Sequence, residues 1–120
     1  MAWELKNDRP IYTQLLEQVE QKIVTGEYEL GSRLPSVRDL AAEASVNPNT
    51  MQRAMTELEQ KGLIITNRTS GRCVTEDADM LNEIRQNRAV EYTNCYMDKM
   101  TELKFGREEI INLIKKGECK

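Results

Sequence analysis

From Asn47 the chain reads Asn-Pro-Asn-Thr-Met-Gln-Arg. Asn49, Thr50, Gln52 and Arg53 bring amides, a hydroxyl and a guanidinium into one short run, and these side chains can read DNA. Asn and Gln bond adenine bidentately, Thr meets a phosphate or a thymine methyl, and Arg reaches guanine or phosphate. Asn47 with Pro48 opens a helix, because Asn caps well and the N–H that proline lacks at the first helical position would have had no partner. Asn47 is read as a cap only. Met51, Ala54, Met55 and Leu58 recur at helical spacing and form the buried face, which leaves the four polar residues outside. Arg53 has a second option, an ion pair with Glu57 one turn on.

Such a helix, expected over 48–61, needs a frame to present it. Leu34 and Pro35 lead into an earlier helix. Ser36 can cap it and Asp39 gives a capping-box-like pattern. Leu40, Ala41 and Ala44 supply its apolar face, and the small alanines allow a close second helix. Val46 falls in the turn and would plug the gap between the two. Upstream, Asp8 and Pro10 mark a helix start, and Ile11, Leu15, Val19 and Ile23, broadened by Tyr12 and Leu16, form an amphipathic stripe ending near Gly26. Trp3 and Leu5 suggest a short extended arm before it, and residues 26–35 read as a connector. Downstream, Gly62 ends the polar-faced helix. Residues 63–66 and 72–75 read as strands and 67–71 as their turn. The expected fold class is mostly α: a winged helix-turn-helix domain with a two-stranded β-wing, followed by a C-terminal two-helix tail.

The tail is read from Asp77 onward. One helix is expected over 79–104, broken by Gly106, and another over Arg107–Lys116. Glu108 and Glu109 at the start of the second, with Lys115 and Lys116 at its end, complement the helix dipole. Leu81, Ile84, Tyr92, Tyr96, Met100 and Leu103 on the first helix, and Ile110, Ile111 and Ile114 on the second, are more apolar surface than two helices can bury between them. A second copy of the chain is the expected cover, which makes these nine the dimer-interface residues. The division expected is 1–76 for DNA binding and 77–120 for dimerisation.

Charge distribution agrees with this reading. The 120-residue chain carries a formal net charge of −3, but residues 33–72, which hold the helix-turn-helix, sum to +2 while the segments on either side are negative. No apolar run approaches the ~20 residues of a membrane helix, and residues 1–10 lack a signal-peptide core, so a cytoplasmic location is expected. Cys73, Cys95 and Cys119 are odd in number and widely spaced, and the chain has no histidine. A zinc site or disulfide framework is therefore not expected. Without histidine a Ser/His or Cys/His nucleophile is excluded, and no phosphate-cradling glycine motif occurs, so neither catalysis nor a cofactor is expected.

The assembled pattern resembles the GntR family of transcriptional regulators, most closely its short YtrA-type branch. PIYTQL in the first helix carries the resemblance, with G-x-Y-x-x-G-x-R-L-P-S-x-R-D-L-A from Gly26 to Ala41, VNPNT at 46–50, A-M-x-x-L-E-x-x-G-L from Ala54 to Leu63, and G-R-C-V in the wing. It covers about the first 75 residues, and the tail matches by architecture. Leu30 replaces the usual proline, and Thr69 and Cys73 stand where the wing usually has a glycine and an aromatic. A dimer with a two-fold axis should bind an inverted-repeat operator in double-stranded DNA. The resemblance implies that Arg38 reaches a guanine edge or phosphate, and that Ser70, Gly71 and Arg72 form a wing tip touching the minor groove or phosphates. It further implies repression of a transporter operon together with the regulator's own gene. No effector is named by the residues. Two other readings stand beside this one: a winged helix used as a protein-interaction module, which the acidic overall charge favours, and a thiol-responsive switch through Cys73 or Cys95.

Overall fold

Pro10 opens the first helix of the protein, whose computed structural model describes residues 3–117. Helix α1 (Ile11–Val24) buries Leu15, Leu16, Val19 and Ile23. The segment before it is an extended arm that pairs with two glutamine side chains. The Lys6 N–H donates to Gln14 Oε1 (2.6 Å), while Gln14 Nε2 donates back to the carbonyls of Lys6 (2.7 Å) and Arg9 (2.9 Å). Gln18 repeats the pattern on the backbone of Glu4. These amides do for the arm what a neighbouring strand would do, and they account for a buried polar residue, Gln14, facing the core side of a helix. Trp3 then lies under Lys22, with the ammonium 4.0 Å from the ring centroid.

Helix α2 (Val37–Ala44) starts where the Ser36 hydroxyl accepts the Asp39 N–H at 3.1 Å. It ends at Ser45, a non-glycine residue in the left-handed region (φ 58°). That conformation costs roughly 1 kcal/mol or more, and is held because Ser45 N–H and Val46 N–H close back on the carbonyls of Ala42 and Ala41. Val46 packs half-buried against the core, as expected of the turn residue. Helix α3 (Pro48–Gln60) follows, its Asn47 cap accepting the Asn49 N–H at 2.7 Å. Met51, Ala54, Met55 and Leu58 are fully buried; each of the three larger ones contributes roughly 1.5–3 kcal/mol of burial. Gly62 (φ 89°) makes the left-handed turn that lets Leu63 N–H reach Leu58 O and sends the chain into the wing.

Strands β1 (Ile64–Asn67) and β2 (Gly71–Val74) pair antiparallel, with Ile64 opposite Val74 and Asn67 opposite Gly71. Both strands start one residue away from the expected positions, and the turn between them is Arg68–Ser70. The connector is a further strand-like edge of this sheet. Arg33 bridges Cys73, Leu34 N–H donates to Arg72 O (2.9 Å), and Val74 N–H donates to Ser32 O (2.9 Å). The lead-in to α2 is thereby stitched to the wing.

The described chain divides into two compact units, Met1–Ile84 and Arg85–Lys120. Helix α4 (Ala78–Glu102) begins in the first unit, where Leu81 is buried in the core and Ile84 packs half-buried against it. In the second unit α4 stops earlier than its sequence suggests. Lys104 takes the left-handed conformation (φ 68°), and the Phe105 and Lys104 N–H groups close on Met100 O and Thr101 O. Gly106 is therefore not the breaker. It caps α5 (Arg107–Lys116), with its N–H donated to Glu109 Oε1 at 2.9 Å, and Ile110 is the residue of α5 that is buried. No helix among the described residues is long and apolar enough to cross a membrane.

Candidate nucleic-acid interface

The polar run that opens α3 is held outward by the burial of its opposite face. Asn49, Gln52 and Arg53 are exposed and Thr50 is half-buried. Gln52 Nε2 donates to Thr56 Oγ1 at 3.2 Å, one turn further along the same face. Asn47 spends its side-chain oxygen on the cap. Neither side of the Arg53 alternative is the first contact its guanidinium makes. It lies over the ring of Tyr12 in α1, 3.8 Å from the centroid, while Glu57 has Lys61 as a partner at 4.0 Å.

Arg38 is exposed on the first turn of α2, held there by the Ser36 cap. It lines an open groove of about 760 Å³ together with Arg33, Ser36, Gln52, Gly71 and Arg72. Three elements meet in this groove: the start of α2, the exposed face of α3 and the first strand residues of the wing. Three arginines line it, against Asp39 as an acidic neighbour. A positive concavity beside an exposed polar helix face is the electrostatic and steric form that a DNA duplex requires. Arg33 belongs to the positive segment of the sequence, and no motif there marks it as a site residue. Its place in the groove follows from the bridge to Cys73, which joins residues far apart in the chain.

The wing residues fall differently from their sequence reading. Ser70 is in the turn, but Gly71 and Arg72 belong to β2, so the tip is Arg68–Ser70. Arg72 leans toward α3, with Nε 3.4 Å from Glu59 Oε1, and the Thr66 hydroxyl donates to the other oxygen of the same carboxylate. Asn67 Oδ1 accepts both the N–H and the hydroxyl of Thr69, which closes the turn. Gly71 at φ 78° completes it as the residue a three-residue hairpin needs in the left-handed region.

Of the nine residues assigned to dimerisation, Leu81 and Ile84 pack on the winged-helix core and Ile110 is buried. Met100 is half-buried, and Tyr92, Tyr96, Leu103, Ile111 and Ile114 are exposed, Tyr92, Leu103 and Ile114 by more than 60%. Val90, Phe105 and Leu113 add to the exposed apolar surface of this unit. Cys73 and Cys95 are free thiols, half-buried and exposed respectively, and Cys119 lies outside the described residues. Among the described residues no group of three or more His, Cys, Asp or Glu side chains is placed to hold a metal.

Comparison with known proteins places this geometry. Residues 11–74 match the profile of bacterial regulatory proteins, gntR family. Over 112 residues the chain is 34% identical to the uncharacterized HTH-type transcriptional regulator YhcF of Bacillus subtilis, with 93% of each chain covered. It is 40% identical over 73 residues to the HTH-type transcriptional repressor YtrA of the same organism, across 61% of this chain and 56% of that one. Among solved structures, a GntR family transcriptional regulator from Listeria monocytogenes superposes with a TM-score of 0.86 at 38% identity, covering 93% of this chain and 98% of the other. These relatives are transcriptional regulators, not enzymes.

Proposed function

Because the chain belongs to the gntR family of bacterial regulatory proteins, and is a DNA-binding helix-turn-helix transcriptional regulator, we propose that it works as a homodimeric repressor on an inverted-repeat operator. The observation that carries the reading is the groove in which Arg33, Arg38, Gln52 and Arg72 meet beside the exposed start of α3. Asn49, Thr50 and Gln52 read base edges in the major groove. Arg38 takes a guanine edge or a phosphate, and Arg53 takes a phosphate. Ser70 and Gly71 bring the wing to the adjacent backbone, and Arg72 contributes from the base of the wing.

Residues 1–76 supply the DNA-binding part and 77–120 the dimerisation part, with the first turns of α4 packing back on the winged-helix core. The exposed Tyr92, Tyr96, Leu103, Ile111 and Ile114, with Met100, form the contact between subunits about a two-fold axis. Two copies of α3 then meet half-sites one or two helical turns apart. Repression is supported by similarity to the repressor YtrA; its target, on this reading, is a transporter operon together with the regulator's own gene. Such a protein acts in the cytoplasm.

A gel-shift titration against the DNA upstream of its own gene, at several salt concentrations, tests the reading. Sequence-selective binding that weakens steeply with salt is expected. Arg38→Ala should cost about 1–3 kcal/mol of specific binding with an unchanged melting temperature. Equal affinity for operator and mixed-sequence DNA would overturn the proposal.

A further inference from the structure

We infer that Tyr12 is a positioning residue for Arg53, holding its guanidinium ready for a DNA phosphate. The inference rests on the reading of Arg53 as a DNA-facing residue. Arg53 Cζ stands 3.8 Å from the centroid of the Tyr12 ring, within contact distance of the ring face. Tyr12 is half-buried and Arg53 exposed, so the aromatic platform belongs to the fold while Arg53 stays at the surface. On α3, Arg53 follows Asn49 by one turn and shares its face, opposite Met51, Ala54, Met55 and Leu58. A residue one turn behind the base-reading end of a helix lying in the major groove faces the sugar-phosphate wall.

The chemistry of the stack separates it from an ordinary ion pair. A cation–π contact uses the face of the guanidinium. Its five N–H donors lie in the plane and stay available for two phosphate oxygens. A carboxylate partner would instead occupy two of those donors and cancel the charge. Glu57, the nearest candidate along the helix, is shared with Lys61. Tyr12 therefore limits the rotamers of Arg53 without consuming what DNA needs, and the ordering cost of binding falls accordingly.

The test is a double-mutant cycle read by fluorescence anisotropy. Two 30-base-pair duplexes serve as probes, one carrying the site footprinted upstream of the regulator's own gene and one of mixed sequence. Arg53→Ala should weaken binding to both about tenfold and lower the salt slope by about 0.9, the loss of one phosphate contact. Tyr12→Leu should weaken binding about threefold, in line with an exposed cation–π contact, and leave the salt slope unchanged. Tyr12→Phe keeps the ring face and should bind like the wild type. In the Arg53→Ala background, Tyr12→Leu should have no further effect, whatever it does to the melting temperature. A purely structural tyrosine would weaken binding equally in both backgrounds, and that result overturns the inference while leaving Arg53 on the DNA. Wild-type binding by Arg53→Ala would overturn the DNA-facing reading and the inference with it.

Discussion

Arg72 of β2 and Glu59 of α3 face each other at 3.4 Å, and the same Glu59 carboxylate accepts the Thr66 hydroxyl from β1. One side chain of α3 thus grips both strands of the wing. The pair is partly exposed, so its worth lies in fixing an angle more than in raw stability. Glu59→Ala should lower stability by only about 0.5–1 kcal/mol. Amide exchange over residues 64–74 should nevertheless quicken, because the hairpin loses the side-chain tie that joins both strands to α3. Unchanged exchange in those strands would show that backbone pairing with residues 32–34 and the burial of Ile64 and Val74 hold the hairpin without Glu59.

The arm offers an internal reporter. Trp3 is the only tryptophan in the chain and stacks beneath Lys22, which is 5% exposed. Gln14→Ala removes the amide that bonds Lys6 and Arg9. A loss of about 1–3 kcal/mol is expected, with a red shift of tryptophan emission as the arm leaves α1. Emission identical to the wild type would mean that Gln18 suffices to hold the arm.

Alkaline titration should reveal Tyr28. Desolvation by burial raises its phenol above the usual value, and the carboxylates of Glu43 and Glu27 add to the shift. A group whose folded pKa is raised binds its proton more tightly in the fold. Its stabilising contribution is therefore complete below the unfolded value, near 10, and is lost as pH rises through the folded one. Melting temperature should fall more steeply above pH 10 in the wild type than in Tyr28→Phe. Parallel curves for the two proteins would assign the alkaline loss to other groups.

Charge placed on the tail separates folding from association. Ile114 is 62% exposed, so Ile114→Asp should leave the helical content and melting of the dilute monomer nearly unchanged. Light scattering at micromolar concentration should show monomer for the variant and dimer for the wild type. A variant that remains dimeric would move the subunit contact off this face.

Helices α2 and α3 were legible because they announce their ends locally. Ser36, Asn47 with Pro48, and Gly62 act within a turn of where they stand, and the buried stripes of α1 and α3 follow the 3.6-residue period. The outward placement of Asn49, Gln52 and Arg53 was legible because burial of one face of α3 dictates exposure of the other, whereas Arg38 was singled out by the family resemblance. What stayed hidden depends on pairing across distance. The segment 31–34 has no alternating β pattern of its own and becomes an edge only through Arg72, Cys73 and Val74. The Tyr12–Arg53 stack joins two helices whose separate patterns say nothing of it. The end of α4 ahead of Gly106 stayed hidden because a lysine that takes the left-handed conformation, Lys104, leaves no mark in composition.

The pairing of residues 32–34 with β2 also sets which changes of length the protein can absorb. A strand alternates faces residue by residue, so adding or removing one residue between Gly31 and Leu34 would invert that edge and drag the Ser36 cap out of phase with α3. The turn at 68–70 lies outside the pairing and carries no such constraint. Insertions and deletions among natural variants of this chain should therefore gather at the wing turn and be missing from the four residues before Pro35.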